Sequence, residues 1–232
     1  IIKSYYAKKM GYDPKDVFVV SIMPCTAKKF EKERPEMEVE GVRDVDAVLT
    51  TRELGDMIKR SGIVFNKLPD EDFDQDIMGE ASGAGVIFGV TGGVTEAVIR
   101  HVLGDVSTEA LSSVAECGVR GLEGIKAFEV TAGDTTLRIA VANGLGNADK
   151  HIEKIESGEE FFHFVGVRAC PNGCIGGGGQ PPACQARKAE RCDGIFAADE
   201  ACELRSSEQN PALDAVYDLL RGRAHELLHI HY

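Results

Sequence analysis

Two closely spaced cysteines, followed by a run of glycines, lie in the last third of the chain and could bind a metal group. Cys170 and Cys174 stand four residues apart in the segment VRACPNGCIGGGGQPP (167–182), and four glycines (176–179) follow them. Such a run is unfavourable inside a helix or strand, because glycine loses the most backbone freedom on ordering. It does allow the backbone to approach a bulky neighbour, and thiolates beside it are typical of a metal cluster. We therefore predict a cluster-binding loop.

A third cysteine, Cys25, lies where a predicted strand meets a loop. The segment VFVVSIM (17–23) is apolar and β-branched, which is typical of a strand buried on both faces. Pro24 and Cys25 end this run, and the polar segment TAKKFEKER follows. Proteins with α/β folds bind ligands at such strand ends. Cys25 is therefore a further candidate ligand.

The elements that must position these cysteines alternate between strand and helix patterns. A short strand at 45–49 leads into a helix at 52–61 that Thr50 or Thr51 would cap, and a hairpin is predicted around Gly133. A strand at 161–167 leads into the cysteine pair, and only helical patterns follow it, at 182–191, 197–205 and 210–220. We predict an α/β fold: a mainly parallel, short-stranded sheet with flanking helices, plus a helical C-terminal tail. The predicted domains are residues 1–186 and the tail, 187–232.

The overall composition restricts the class of protein. The formal net charge of -12 argues against a nucleic-acid partner, because phosphate binding requires clustered Lys and Arg. No apolar run approaches the ~20 residues that span a bilayer, and no signal peptide is visible. Seven irregularly spaced cysteines favour a reducing compartment, so we predict a cytoplasmic protein. Residues 1–10 have the pattern of the end of a helix, which Gly11 would close. The chain thus begins within a helix, and we expect a fragment of a longer protein.

Several motifs together resemble those of the iron-only, or [FeFe], hydrogenases. MPCTAKKFE (23–31) is similar to the second cysteine signature of that family, and ACPNGCIGGGGQP (169–181) is similar to the third. FGVTGG (88–93) resembles a glycine-rich segment that lines the same site. The tail, with RS (205–206), NP (210–211) and HELLH (225–229), resembles the family's small-subunit segment. On this resemblance, 1–186 would be the C-terminal lobe of the H-cluster domain and 187–232 the small-subunit-like tail.

The resemblance implies an H-cluster, which is a [4Fe-4S] cubane bridged through a cysteine sulfur to a di-iron centre with CO and cyanide. It also implies reversible reduction of protons to H2, with electrons from ferredoxin or another Fe-S or NAD(P)-linked carrier. By motif position Cys25, Cys170 and Cys174 would ligate iron, and Cys174 would be the bridge. The remaining residues that the resemblance assigns are the catalytic Lys28, a charged donor to cyanide, and the cofactor-binding Met23, Pro24, Phe88 and Gly89.

The fourth cysteine of the cubane belongs in the family to a TSCCP-type signature, which this sequence does not contain. We expect it in an upstream lobe that acts as a partner. The segment alone should therefore hold no H-cluster or an incomplete one, and should be inactive. One alternative, from a different functional class, is a hydrogenase-like Fe-S cluster-binding sensor or assembly protein. A further alternative is a plain zinc or structural cysteine site.

Three positions depart from the family pattern. Gly166 and Arg168 stand where the family usually has Glu and Met, and Thr95 stands where Met is common. These departures favour the sensor or assembly protein to some degree. Arg168 would either contact the cluster or form an ion pair with an acidic residue.

Other chemically suggestive residues have structural explanations. Lys28 could be a surface lysine, with Glu31 as a local ion-pair partner. The segment 82–93 lacks the Lys-Ser/Thr of a phosphate-binding loop. His225, His229 and His231 have zinc-like spacing, but no acid or cysteine completes the site, so a packed tail helix is preferred. The cysteines that match no ligand position, and are predicted to be structural, are Cys117, Cys184, Cys192 and Cys202.

Overall fold

The structure is a computed structural model that describes residues 1–72, 74, 81–104 and 107–228. Short strands and helices alternate along it. The strands are β1 (Val20–Met23), β2 (Glu38–Val39), β3 (Val42–Arg43), β4 (Ala47–Thr50), β5 (Ile125–Ala132), β6 (Thr135–Asn143) and β7 (Phe164–Arg168). The α-helices are α1 (Ala7–Met10), α2 (Ala27–Glu31), α3 (Thr51–Arg60), α4 (Gly83–Val86), α5 (Gly93–Leu103), α6 (Thr108–Val114), α7 (Leu145–Glu156), α8 (Gln185–Ala201), α9 (Pro211–Leu220) and α10 (Ala224–Leu228). The predicted α/β class and helical tail are confirmed.

The described strands form small sheets with both kinds of pairing. β1 pairs with β4 in parallel, and β7 pairs with β6 in parallel. β2 and β3 are antiparallel, as are β5 and β6, which form the predicted hairpin. Parallel and antiparallel pairings are therefore equally frequent here, where the sequence predicts a mainly parallel sheet, because each hairpin adds an antiparallel pair.

Inter-residue contacts divide the chain into two compact units. The first unit comprises Ile1–Ile77, Gly177–Pro182 and Leu220–Tyr232, and the second comprises Met78–Gly176 and Ala183–Leu219. The predicted domain boundary after residue 186 falls within α8 and stays a prediction. No described helix combines the length and the apolar character that crossing a bilayer requires.

Local sequence signals account for several element ends. The Thr50 side chain accepts a hydrogen bond from the Glu53 backbone N–H, and the Glu53 carboxylate accepts one from the Thr50 backbone N–H. This capping box begins α3 as predicted. Gly11 ends α1 at φ 75°, a left-handed conformation that glycine adopts without strain.

Two details differ from the sequence predictions. β1 is not buried on both faces, because Val20 and Ile22, which point to the same face, are about half exposed. The residues around Gly194 form one continuous helix, α8, where the sequence suggests two pieces. Gly194 lies in open space, so nothing in its surroundings interrupts the helix there.

The core of the second unit contains two apolar clusters. One consists of Ile99, Val114, Val119, Val130 and Ile139, and it packs α5 and α6 on the sheet. The other joins Ile87, Val90, Ile175 and Cys192. Because Ile175 directly follows Cys174, the second cluster fixes the cysteine pair to the core.

Five charged residues on α5, α8 and neighbouring loops form what we call the charge cluster: Glu96, Arg100, Arg120, Asp199 and Arg205. Arg100 and Asp199 are fully buried, and the two terminal guanidinium nitrogens of Arg100 contact the Asp199 carboxylate at 2.8 Å. Arg100 also donates to Glu96 at 2.7 Å. Burial alone would raise the pKa of Asp199, but hydrogen bonds from Arg100 and Arg205 outweigh it and hold this pKa below its ordinary value.

Candidate functional site

The cysteine loop, which we define as residues 169–176, leaves the end of β7 and turns sharply. Asn172 and Gly173 both have positive φ, 66° and 77°. The Gly173 N–H donates to the Cys170 carbonyl at 3.2 Å, which closes the turn. Arg191 of α8 donates to the Ile175 carbonyl at 2.9 Å. The loop is therefore held both by its own turn and by the core.

The other side of the loop packs against the segment 89–91. A Cβ placed on Gly173 would lie 2.8 Å from the backbone of Val90 and of Thr91, and 3.0 Å from the Gly89 carbonyl oxygen. Glycine is required at position 173 for two reasons. No side chain fits against this backbone, and the positive φ is strained for any other residue. The structure thus brings the predicted cofactor residue Gly89 next to the cysteine loop. The neighbouring Phe88 is about half exposed.

Arg168, the last residue of β7, is a charged residue that contacts Cys174. Its Nη1 lies 3.8 Å from Cys174 Sγ. Its Nη2 is buried and has no hydrogen-bond partner among the described residues. No described carboxylate forms an ion pair with it, so of the two alternatives for Arg168 the structure shows the contact to the predicted ligand.

The other two departures from the family pattern lie against each other. A Cβ on Gly166 would collide with the hydroxyl of Thr95, which is buried on α5. Thr95 therefore occupies the space that any side chain at position 166 would need. In the sequence the two departures are unconnected. In the structure they depend on each other, because the Thr95 hydroxyl lies where a side chain at position 166 would be.

In the first unit, β1 ends at Met23, and Pro24 and Cys25 follow. The Pro24 carbonyl accepts a hydrogen bond from Gly179 at 2.9 Å, and the Gly179 carbonyl accepts one from the Arg52 N–H at 3.1 Å. A Cβ on Gly179 would lie 2.8 Å from Thr50 Cβ. The predicted close approach of the glycine run is therefore made, at Gly179, to protein backbone and to Thr50.

The predicted catalytic Lys28 lies on α2, which follows Cys25. Its Nζ contacts the Glu31 carboxylate at 2.5 Å, the local ion pair considered as an alternative. Lys28 remains 44% exposed. It lines a cavity of about 170 Å³ whose other walls include Met23, Glu31, Met37 and Val48.

The predicted iron ligands are divided between the units, with Cys25 in the first and Cys170 and Cys174 in the second. Among the described residues, no group of three or more His, Cys, Asp or Glu side chains is arranged to hold a metal ion. Cys192 lies in the apolar core, where burial raises the pKa of its thiol. Cys117 is similar, and its thiol donates to the Val114 carbonyl. Both agree with the predicted structural role. His229 and His231 lie outside the described residues.

Comparison with known families decides the relationship. Residues 1–178 match a family model described as iron only hydrogenase large subunit, C-terminal domain. The chain belongs to this hydrogenase family. Residues 185–232 match a second model, iron hydrogenase small subunit. The predicted resemblance is confirmed for both parts of the chain.

Curated relatives and a solved structure match the whole chain. The NADP-reducing hydrogenase subunit HndD of Solidesulfovibrio fructosivorans is 46% identical over 240 residues, and the chain covers 40% of that protein. The solved [FeFe]-hydrogenase HydA(deltaEFG) aligns with 100% of the chain at TM-score 0.74 and 39% identity, over 66% of its own length. The cytosolic iron-sulfur assembly component 3 of Rattus norvegicus is 30% identical over 244 residues, 51% of that protein. The chain thus spans about half or less of these curated relatives.

Proposed function

We propose that this chain forms part of the H-cluster site of an [FeFe]-hydrogenase, with Cys25, Cys170 and Cys174 as three of four cubane ligands. The observation that carries the proposal is the cysteine loop. It is fixed on one side by Ile175 in the core and on the other by Gly173 against the segment 89–91. A loop held in this way keeps two thiols in place for a ligand.

The residues fit the proposed group in their chemistry. Thiolates are the soft ligands that iron-sulfur clusters require. The buried, unpartnered Nη2 of Arg168 beside Cys174 suits an anionic acceptor, because an unpaired buried guanidinium nitrogen is unfavourable. When bound, the cluster would supply the iron centre at which protons and electrons combine to give H2.

The surrounding residues would then bind and shield the group. Cys174 would bridge the cubane and the di-iron centre. Lys28 would donate a charge-assisted hydrogen bond to a cyanide ligand, for which its Nζ must leave Glu31. The residues that would exclude water and complete the wall are Met23, Pro24, Phe88 and Gly89.

The proposal includes partners outside this chain. A lobe with the fourth cysteine would complete the site, and ferredoxin or another Fe-S or NAD(P)-linked carrier would supply electrons. We further propose that residues 1–186 are the H-cluster lobe and 187–232 its small-subunit-like tail. We also propose that the protein is cytoplasmic and has no nucleic-acid partner. This chain alone would produce no H2.

Iron content and H2 evolution of the full-length protein that contains this chain, matured anaerobically, test the proposal. We expect Cys25→Ala, Cys170→Ala and Cys174→Ala each to lose most of the iron and all H2 evolution. Cys184→Ala, at an exposed cysteine that matches no ligand position, is the matched control and should keep both. Unchanged iron in the Cys170→Ala and Cys174→Ala variants would refute the ligand assignment, and robust turnover by the 232-residue chain alone would refute its predicted inactivity.

A second candidate is a hydrogenase-like protein of iron-sulfur assembly or sensing. The match to the rat assembly component, together with a cation at position 168, favours it specifically. Infrared spectra of the full-length protein distinguish the two functions. Bands from bound CO and cyanide support the hydrogenase, whereas bound iron without these bands supports the assembly protein.

A further inference from the structure

The backbone of Arg168 is fixed by regular structure. Arg168 is the last residue of β7 and pairs with Asn143 of β6. Its carbonyl accepts a hydrogen bond from the Gly144 N–H at 2.6 Å. Its side chain therefore starts from a rigid strand end and not from the loop itself.

The guanidinium of Arg168 carries a permanent positive charge and lacks a carboxylate partner among the described residues. Nη1 lies 3.8 Å from Cys174 Sγ, and Nη2 is buried and has no hydrogen-bond partner among the described residues. A buried donor nitrogen of a cation is costly unless an acceptor lies beside it, and an anion is the most favourable one. Cys174 Sγ, in contact with this group, becomes such an anion once the sulfur ligates iron.

We propose that Arg168 is a positioning residue that donates a hydrogen bond to the iron-bound sulfur of Cys174 and raises the reduction potential of the cluster. This inference rests on the proposed function, because it requires Cys174 to be an iron ligand. One-electron reduction adds a negative charge to the cluster, and a cation about 4 Å from a ligand sulfur stabilises that charge. Hydrogen bonds to the sulfurs and net charge are established determinants of cluster potential.

A redox titration of the full-length protein that contains this chain, with its cluster loaded anaerobically, tests the inference. Midpoint potentials and iron content are measured for the wild type, Arg168→Met, Arg168→Gln and Arg187→Met. The first two variants remove the charge beside Cys174. Arg187→Met removes the same charge from an exposed ion pair with Glu190 on α8, and it controls for net charge.

We expect Arg168→Met to shift the equilibrium constant for one-electron reduction at least tenfold toward the oxidised form. This corresponds to a midpoint potential about 59 mV lower. Arg168→Gln should shift it in the same direction, and Arg187→Met should stay within roughly threefold of the wild type because exposed charges are screened.

The possible results separate this inference from the proposed function. Iron retained with unchanged potentials in both Arg168 variants overturns this inference alone, and so does an equal shift in Arg187→Met. If Arg168→Met loses its iron, the midpoint potential of Arg168→Gln is compared with that of the wild type instead. Iron retained with an unchanged potential in Arg168→Gln then overturns this inference. Iron loss from both would overturn the role in tuning the potential. A wild-type protein without iron refutes the proposed function, and this inference with it.

Discussion

The charge cluster and the cysteine loop belong to the same unit. The first contains the fully buried guanidinium of Arg100, and the second lies beside the partly buried guanidinium of Arg168, whose environment is different. Arg100 contacts Glu96 and Asp199 with its terminal nitrogens, and it also donates to the Arg205 carbonyl. Arg168 contacts one thiol at 3.8 Å and leaves a buried nitrogen without a partner among the described residues. The Arg100 charge is paired with two carboxylates within the chain, although its buried Nε has no hydrogen-bond partner among the described residues. Arg168 gains a full partner only if Cys174 carries a negative charge.

This difference indicates which of the two regions stabilises the fold. Breaking a buried ion pair leaves an uncompensated charge and is strongly destabilising. Removing a cation that has no complete partner costs little, because a desolvation penalty disappears with it. The charge cluster should therefore dominate stability, while the cysteine loop should matter mainly for its ligand.

The largest expected effect is that of Asp199→Asn. It removes the carboxylate that faces both Arg100 and Arg205, and we expect the free energy of unfolding to fall by about 3–5 kcal/mol. Urea denaturation of the 232-residue chain measures this. Glu200→Gln, at the exposed adjacent position, is the matched control and should stay within about 0.5 kcal/mol. A loss below about 1 kcal/mol for Asp199→Asn would contradict the comparison.

The same carboxylate predicts a pH dependence. Because the folded-state pKa of Asp199 lies below its unfolded value near ~3.9, its stabilising contribution is complete above that unfolded value. The contribution is lost as the pH falls through the folded-state pKa. We expect the difference in unfolding free energy between wild type and Asp199→Asn to shrink from pH 6 toward pH 3. A difference that stays constant over this range would exclude Asp199 as the source.

A glycine substitution tests whether the cysteine loop is held as closely as the core. Gly173→Ala introduces a Cβ 2.8 Å from the backbone of Thr91 at a positive φ, and we expect a loss of about 1–3 kcal/mol. Gly194→Ala on α8, where the added Cβ meets open space, should instead stabilise by about 0.4–1 kcal/mol. Opposite signs in urea denaturation are the expected result, and equal effects would show that the loop is loosely packed.

The smallest expected effect on stability is that of Arg168→Met in the cluster-free chain. We expect a change below about 1 kcal/mol, because the lost contact is a single N–H···S interaction and an unpartnered buried donor is removed with it. Arg100→Met, the same substitution within the charge cluster, should cost about 3–5 kcal/mol. Similar losses for the two variants would remove the distinction between the regions.

Local features of the fold could be predicted from the sequence because their partners are near in the chain. The Thr50 cap, the end of α1 at Gly11 and the hairpin around Gly133 each depend on residues within one turn. The cysteine signatures also identified the family, because the residues of each signature follow one another in the sequence. Individual roles for Cys25, Cys170, Cys174 and Lys28 remain predictions.

Contacts between distant residues could not be predicted in this way. Arg100 and Asp199 are 99 residues apart, and nothing in either segment identifies the other as its partner. The match between Gly166 and Thr95 is equally invisible, since it depends on how β7 packs against α5. The sequence attributed the glycine run to a ligand, whereas Gly179 approaches Pro24 and Thr50.

The position of the glycine run also constrains the order in which the chain can fold. Residues 177–182 belong to the first unit, although the segments on both sides of them belong to the second. The Pro24 carbonyl and the Arg52 N–H find their partner in Gly179, more than a hundred residues later in synthesis. At 5–20 residues per second, that delay is on the order of ten seconds. The first unit therefore begins to emerge from the ribosome early, but Pro24 and Arg52 gain these hydrogen bonds only after Met78–Gly176, the larger segment of the second unit, has been made.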